Sequence, residues 1–150
     1  MRKERYELSI DTDVMKFRFT SVGPKGEVPK LVIYSKIPNR NIYNLAFGDK
    51  DLHTDAIDDF VVTDNKDSQK VLATVAFTVY TFTDEYPHAF IFAKGSSEAR
   101  TRLYQISISN NLEEIITDFV VWGEKEEKWH RFEKNVKYDS FLITRKENSI

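Results

Sequence analysis

Cysteine is absent from this chain of 150 residues, which excludes disulfide bonds, thiolate zinc sites and a cysteine nucleophile. Long apolar runs are absent as well. No stretch approaches the roughly 18 apolar residues that a membrane-spanning helix needs, and the basic N-terminus is not followed by the apolar run of a signal peptide. These absences predict a cytoplasmic protein with no membrane partner.

The chain also has little net charge, because 22 basic and 24 acidic side chains leave a formal charge of −2. Domains that bind duplex nucleic acid through the overall electrostatic field of the protein usually carry a clear positive net charge. We therefore do not expect duplex nucleic acid as a partner. Net charge does not fix how charges are distributed, so a local basic patch remains open.

What the chain does contain is apolar and aromatic: 41% of the residues are hydrophobic, with eleven Phe, seven Tyr and two Trp. A chain of this length buries about 70% of the surface that it exposes when unfolded. The composition predicts a folded protein rather than a disordered one. Because no repeat, low-complexity tract or linker interrupts it, we expect a single domain over residues 1–150.

Residues 1–48 are rich in β-formers and alternate between apolar and polar side chains, which predicts strands. Four strands are expected, at RYELSI near the start, at 15–22, at 30–37 and at 41–49. A turn is expected at GPKGEVP, whose glycines and prolines supply the special backbone angles.

An acidic connector follows over residues 49–67, with seven Asp against two Lys. We expect a solvated loop with a short apolar anchor at Phe60, Val61 and Val62. The first carboxylates alternate loosely as in a calcium loop, but Thr54 stands where such a loop needs Gly and Phe60 where it needs Glu. Scattered carboxylates could hold a divalent cation for phosphodiester chemistry, yet a solvated acidic loop is the commoner case. No metal is therefore expected.

The segment SQKVLATVAFTVYTFTDEYP predicts a helix of about five turns. Apolar residues at spacings of three and four form its buried face, namely Val71, Leu72, Val75, Ala76, Val79 and Phe82. Asp67 or Ser68 is the expected N-cap. Pro87 ends the helix, because the residue before a proline is pushed out of the helical region.

Shorter elements complete the chain. HAFIFAK (88–94) predicts a central strand, residues 97–110 a second helix, and YDSFLIT a last strand. Residues 119–122 and 129–133 are expected to pair as a hairpin across a charged turn that contains Gly123. The order, roughly ββββ-α-β-α-ββ(β), predicts an α+β fold with a mainly antiparallel sheet and both helices packed on one face.

The stretch AKGSSEARTRLY (93–104), between the central strand and the second helix, is the strongest candidate for a site. A helix N-terminus offers unpaired N–H groups and a partial positive charge, which favour an anion. The candidate anion-binding residues are Lys94, Ser96, Ser97, Arg100 and Arg102. Arg100 lies one turn into the helix and could meet the same anion, whereas Arg102 is rotated away by roughly 200 degrees.

A simpler interpretation explains the same residues as a turn and a helix cap. Gly95 makes the turn, Ser96 or Ser97 caps the helix, and Glu98 complements its dipole. The spacing matches neither of the glycine-rich phosphate-binding motifs, so we favour the cap. Whether the two arginines face a ligand, solvent or the protein's own aspartates stays open at this point.

Histidines and tryptophans give weaker signals. His53, His88 and His130 sit in separate elements, with no spacing typical of a metal site and no visible partner for a general base. Trp122 and Trp129 could form a partner-facing patch or a base-stacking platform. In a small α+β domain such side chains more often belong to the core of the sheet, which is the interpretation we favour.

KVLATVAFTVYTF, followed after YP by GSSEARTRLYQISI, resembles a family of uncharacterised bacterial proteins of about this length, found mainly in Bacteroidota. The resemblance extends to YNLAFGD upstream and to DFVVWG downstream, so it covers most of the chain. A weaker resemblance links the helix pair to small phage-encoded proteins with an RxxLY element. Neither resemblance implies an activity or a catalytic residue.

Together these observations favour a non-enzymatic binding or interaction module without a cofactor. Its expected ligand is a small anionic molecule or an unknown protein partner at residues 94–102. The alternative is a small nucleic-acid-directed enzyme, such as a toxin-like ribonuclease, based on Arg100, Arg102 and Tyr104 in one helix. A structural subunit with no ligand is a third interpretation.

Overall fold

The computed structural model describes residues 3–58 and 61–148. Over these ranges the chain forms eight strands and three α-helices. The strands are β1 (Ser9–Ile10), β2 (Lys16–Gly23), β3 (Gly26–Lys36), β4 (Ile42–Asp49), β5 (Phe90–Ala93), β6 (Phe119–Lys125), β7 (Lys128–Arg131) and β8 (Ser140–Arg145). The helices are α1 (Ser68–Glu85), α2 (Glu98–Asn110) and α3 (Leu112–Asp118), and a 3₁₀ turn follows at Lys146–Asn148. The predicted α+β class and element order are confirmed, with α3 as an addition.

The eight strands belong to one sheet in the order β1-β2-β3-β4-β5-β8-β6-β7. Neighbouring strands are antiparallel except β4 and β5, which are parallel. Parallel neighbours need a crossover connection, and α1 supplies it between β4 and β5. The last strand, β8, inserts between β5 and β6 and joins the two halves of the sheet.

The apolar stripe of α1 is buried along its whole predicted length, from Val71 to Phe82. Asp67 occupies the N-cap position, but its side chain makes no capping hydrogen bond. Its carboxylate instead accepts from Tyr6 Oη at 2.5 Å and from Ser21 Oγ at 2.6 Å. Packing and this polar contact, rather than a side-chain cap, therefore position the start of α1.

The third helix follows α2 without a strand between them. Asn111 separates the two helices, and its Nδ2 donates to the Ser107 carbonyl at 2.7 Å. Sequence periodicity placed the end of α2 correctly at Asn110 and left the short α3 unassigned. None of the helices that the structure describes is long and apolar enough to cross a membrane.

The helices cover one face of the sheet, and the core lies between the two layers. Alternate side chains of the central strands point into it, among them Leu45 of β4 and Ile91 of β5. The ring of Tyr34 stacks on Phe82 of α1, with centroids 4.1 Å apart and planes 3° from parallel. Burial of large aromatic surface at this contact fixes α1 on the sheet.

Both tryptophans lie on the opposite face, so the expectation that they belong to the core is wrong. Trp122 pairs with Leu142 of β8 on one side and with Arg131 of β7 on the other, while its neighbour Val121 is buried toward the helices. Trp129 is 43% exposed. Alternation shows that a strand has two faces, but it does not show which face the helices will cover.

The β6–β7 hairpin forms as predicted, but its turn does not contain Gly123. The turn residues are Glu126 and Glu127, both with positive φ (53° and 62°). Gly123 lies inside β6 opposite His130. A Cβ at Gly123 would collide with the ring of Tyr138, so this glycine serves close packing rather than the turn.

Polar contacts hold the described part of the acidic connector, residues 49–58 and 61–67, more than the expected apolar anchor does. Val61 and Val62 are 47% and 37% exposed, so the expected apolar anchor is wrong for both, and Phe60 lies outside the described residues. Asn65 is the anchor instead. It is buried, and its side-chain Nδ2 and Oδ1 bond backbone groups at the β2–β3 turn at 2.9 and 2.7 Å. The side-chain amide of Asn65 thus satisfies the Lys25 N–H and the Gly26 carbonyl, two backbone groups that the turn would otherwise leave without a hydrogen-bond partner.

Candidate functional site

The junction between β5 and α2 is tightly closed. Gly95 N donates to Thr101 Oγ1 at 3.0 Å. A Cβ on Gly95 would lie 2.5 Å from Arg100 Cβ, well inside van der Waals contact. Glycine is therefore required here for the close approach of strand and helix.

Ser97 is the N-cap of α2, as the cap interpretation predicts. Its backbone is extended (φ −147°, ψ 165°), and its Oγ accepts from Arg100 N at 3.2 Å. Thr101 Oγ1 donates to the Ser97 carbonyl at 3.1 Å. Glu98 stands in the first turn, where a carboxylate complements the helix dipole. The junction is thus a well-capped helix start before any ligand is considered.

The two arginines of α2 point in different directions, as their helical rotation predicts. Arg100 Nη2 donates to the Asp58 carbonyl at 3.0 Å, so Arg100 ties α2 to the acidic connector. Arg102 is exposed and lines a groove together with Lys94 and Ser96. Arg102 therefore shares a groove with Lys94, Ser96 and Ser97, whereas Arg100 lines a second groove together with Ser96 and Ser97.

We call this space the junction groove. It lies between α2, the tip of the β6–β7 hairpin and residues 135–139, and its volume is about 1050 Å³. A cavity of this size can hold a small organic ligand or a short peptide segment. Its polar lining includes Lys94, Ser96, Ser97, Glu98, Arg102, Gln105, Glu124, Glu127, Asn135, Lys137, Tyr138 and Asp139.

Gln105 holds the far wall of the junction groove. Its Nε2 donates to the Val136 carbonyl at 2.5 Å, and its Oε1 accepts from Tyr138 N at 3.2 Å. The hydroxyl of Tyr138, a buried side chain, accepts from Glu133 N at 3.0 Å. Because both sides of this segment are hydrogen-bonded, the wall is preformed. Sequence patterns missed Gln105, since its partners lie about thirty residues further along the chain.

The charges in the junction groove are mixed. The lining combines three cations with four carboxylates, namely Lys94, Arg102 and Lys137 with Glu98, Glu124, Glu127 and Asp139. The Glu124 carboxylate accepts from Ser140 Oγ at 2.8 Å. These carboxylates repel a multiply charged anion. A ligand with one anionic group on a neutral or cationic body suits the groove better.

Tyr104, the third member of the predicted nuclease set, lies on the buried face of α2. Its hydroxyl accepts from Phe47 N at 2.9 Å. Burial raises the pKa of Tyr104 to about 12, so the phenol is neutral at physiological pH. Arg100 contacts the connector and Arg102 the groove. The structure therefore does not bring together the three side chains on which the ribonuclease alternative depends.

The carboxylates of the acidic connector that the structure describes accept hydrogen bonds or form ion pairs. Asp51 accepts from His53 N at 2.8 Å, a bond that lowers the pKa of its carboxyl. Asp55 pairs with Arg18 and with Lys16, and the hydrogen bond from Arg18 is the main cause of its lowered pKa. Among the described residues, no group of three or more His, Asp or Glu side chains could hold a metal ion.

A buried ion pair is a feature that sequence patterns did not single out. Lys30 Nζ donates to Asp49 Oδ1 and to the Thr63 carbonyl, and Asp49 Oδ2 accepts from Thr63 N at 2.9 Å. The sequence pattern that could have revealed this pair is the alternation of β3, because Lys30 falls on the same strand face as the buried side chains of Val32 and Tyr34. Lys30 and Thr63 border the second groove, of about 970 Å³, between α1 and α2.

These features define the class of protein: a two-layer α+β fold with a preformed, mixed-charge groove at a strand-to-helix junction. The chain belongs to DUF6934, a family of unknown function, whose model matches residues 2–146. Membership of an uncharacterised family, predicted from the sequence, is thereby confirmed. Comparison with curated proteins and with solved structures finds no match.

Proposed function

We propose that this protein is a non-enzymatic binding module that holds one anionic group, a carboxylate or a phosphate, in the junction groove. The observation that carries the proposal is that Lys94, Ser96, Ser97 and Arg102 line a single preformed groove. Lys94 and Arg102 supply charge, Ser96 supplies a hydroxyl, and the start of α2 supplies backbone donors.

The backbone of α2 contributes because the first N–H groups of a helix have no acceptor within it. The Ser97 cap uses the N–H of Arg100. The N–H groups of Glu98 and Ala99 belong to the same first turn, which borders the groove. An anion at this position would therefore gain both hydrogen bonds and the favourable end of the helix dipole.

The four carboxylates of the groove restrict the ligand further. They favour a molecule whose single anionic group is attached to neutral or cationic groups, as in a zwitterion or a peptide segment. Arg100 takes no part in this proposal, because its guanidinium donates to the connector.

Amide NMR with sodium phosphate and sodium acetate as probes tests the proposal. We expect saturable shifts of the Gly95, Glu98 and Ala99 amides, and binding at least about tenfold weaker in Lys94→Glu and Arg102→Glu. Lys36→Glu, an equal charge change on an exposed residue of β3, is the matched control and should leave binding unchanged. Shifts spread evenly over the surface, or equal losses in all three variants, would contradict the proposal.

A further inference from the structure

The charged side chains of the junction groove divide into two groups according to the elements that carry them. The side built by β5 and α2, which we call the cationic side, carries Lys94, Arg102 and Glu98, together with the positive end of the helix dipole. The other side, which we call the acidic side, belongs to the β6–β7 hairpin and residues 135–139. It carries three carboxylates and one cation, namely Glu124, Glu127, Asp139 and Lys137. The groove therefore has two sides of opposite net charge.

Strand pairing sets the distance between the two sides. Ala93 is in register with Phe141, and Phe141 with Gly123. Lys94 and Glu124 each follow this row by one residue, so two strand spacings, about 10 Å, separate their backbones. A ligand that reaches both sides therefore needs a negative and a positive group several bonds apart. The carboxylate and ammonium on a single α-carbon are too close together to meet this requirement.

The charges of the two sides do not neutralise one another within the protein. Over residues 3–58 and 61–148, no ion pair joins the cationic side to the acidic side. Ser140 lies on β8, the strand between β5 and β6, and this buried residue donates its Oγ hydrogen to the Glu124 carboxylate at 2.8 Å. That bond holds the carboxylate on the acidic side. Opposite charges that stay apart attract a ligand with the complementary pattern and disfavour a ligand of a single sign.

We propose that the junction groove binds a lysine or arginine residue that has a free α-carboxylate. This inference rests on the proposed function, since the α-carboxylate is the single anionic group that Lys94, Arg102 and the first turn of α2 hold. The basic side chain extends to the acidic side, where Glu124, Glu127 and Asp139 accept from it. Lysine suits this span because its ammonium lies on a flexible four-carbon stem, and arginine because its guanidinium binds carboxylates through two parallel hydrogen bonds.

Two sources supply this chemistry, a free basic amino acid and the C-terminal residue of a peptide. They differ beside the α-carboxylate, where the free amino acid carries an ammonium and the peptide a neutral amide. Lys94 and Arg102 repel that ammonium, and Glu98 offsets only part of the repulsion. The groove volume, about 1050 Å³, also slightly exceeds the range of about 300–1,000 Å³ for small-ligand sites. Both observations favour the C-terminus of a peptide.

Calorimetric titration of the intact protein with N-acetylated Gly-Gly-Lys, its norleucine analogue and its C-terminal amide tests the proposal. Norleucine keeps the aliphatic stem but lacks the ammonium. We expect the lysine peptide to bind at least about tenfold more tightly than either analogue, because each analogue loses one charged contact. Glu124→Gln and Asp139→Asn should each reduce the preference for lysine over norleucine at least about threefold without weakening the norleucine peptide. Glu133→Gln, the same charge change at an exposed residue outside the groove lining, is the matched control.

Three results would overturn the inference: no binding of the lysine peptide up to about 1 mM, an analogue that binds as tightly as the lysine peptide, or an equal loss of preference in Glu133→Gln. If acetate and phosphate still shift the Gly95 amide in such a case, the proposed function stands and only the ligand class is wrong. If they do not, both fail. Tighter binding of free L-lysine than of the peptide would refute the assignment to a peptide C-terminus. Asp139 is exposed, so Asp139→Asn keeps the test available if Glu124→Gln does not fold.

Discussion

Replacing Lys30 by Met tests the buried ion pair that holds the connector. Lys30 and Asp49 are 2% and 5% exposed. Lys30 Nζ donates to Asp49 Oδ1 and, at 3.0 Å, to the Thr63 carbonyl. Methionine keeps most of the length of the side chain but removes the ammonium, so the Asp49 carboxylate would stay buried without its counter-ion.

The expected cost follows from the burial of both groups. Removing one partner of a buried pair lowers the free energy of unfolding by about 3–5 kcal/mol, since the remaining charge is desolvated and uncompensated. That loss is a large part of the about 5–15 kcal/mol typical of a small domain. The double variant Lys30→Met/Asp49→Leu removes both charges and should be at least about 1 kcal/mol more stable than Lys30→Met.

Urea unfolding followed by tryptophan fluorescence measures these differences, and an unchanged m-value shows that the variants unfold from a similar compact state. Lys16→Met is the matched control. Lys16 pairs with Asp55 at 3.2 Å, but their side chains are 26% and 45% exposed, so this loss should cost only about 0–1 kcal/mol. Equal costs for Lys30→Met and Lys16→Met, or a double variant less stable than Lys30→Met, would refute the reasoning.

Two further predictions concern the hairpin turn and alkaline pH. Replacing Glu126–Glu127 by Asn-Gly should stabilise the protein by about 1 kcal/mol in urea unfolding, because both residues have positive φ. A Gln-Gln variant removes only the charges, and an equal gain there would contradict the backbone argument. Burial raises the pKa of Tyr104 to about 12, above its ordinary value of about 10, so its contribution to stability is complete below about pH 10 and is lost as pH rises toward 12. Unfolding measured from about pH 9 to 12 should decline less steeply in Tyr104→Phe, and an identical decline would count against this assignment.

Elements that depend on neighbouring residues were predictable from the sequence. The stripe from Val71 to Phe82 predicts α1 because residues three and four apart share one helical face. Ser97 predicts the start of α2 because a hydroxyl at that position can accept from an N–H one turn ahead. The separation of Arg100 and Arg102 followed from helical rotation alone.

Features that depend on distant residues were not predictable in this way. Gly123 looked like a turn residue, but the ring of Tyr138 occupies the space beside it. Gln105 looked like an ordinary helix residue, but its amide binds a segment about thirty residues away. Such contacts leave no local periodicity, so no short pattern reports them.

The sequence by itself determined the α+β class, the order of the strands and helices and the capped junction between β5 and α2, because these follow from local periodicity and local hydrogen bonds. Only the tertiary structure decided that β8 inserts between β5 and β6, that Trp122 and Trp129 face away from the helices, and that Arg102 joins Lys94 in a groove. The physical reason is that strand pairing and helix docking join residues far apart in the chain, and they choose which face of each element is covered.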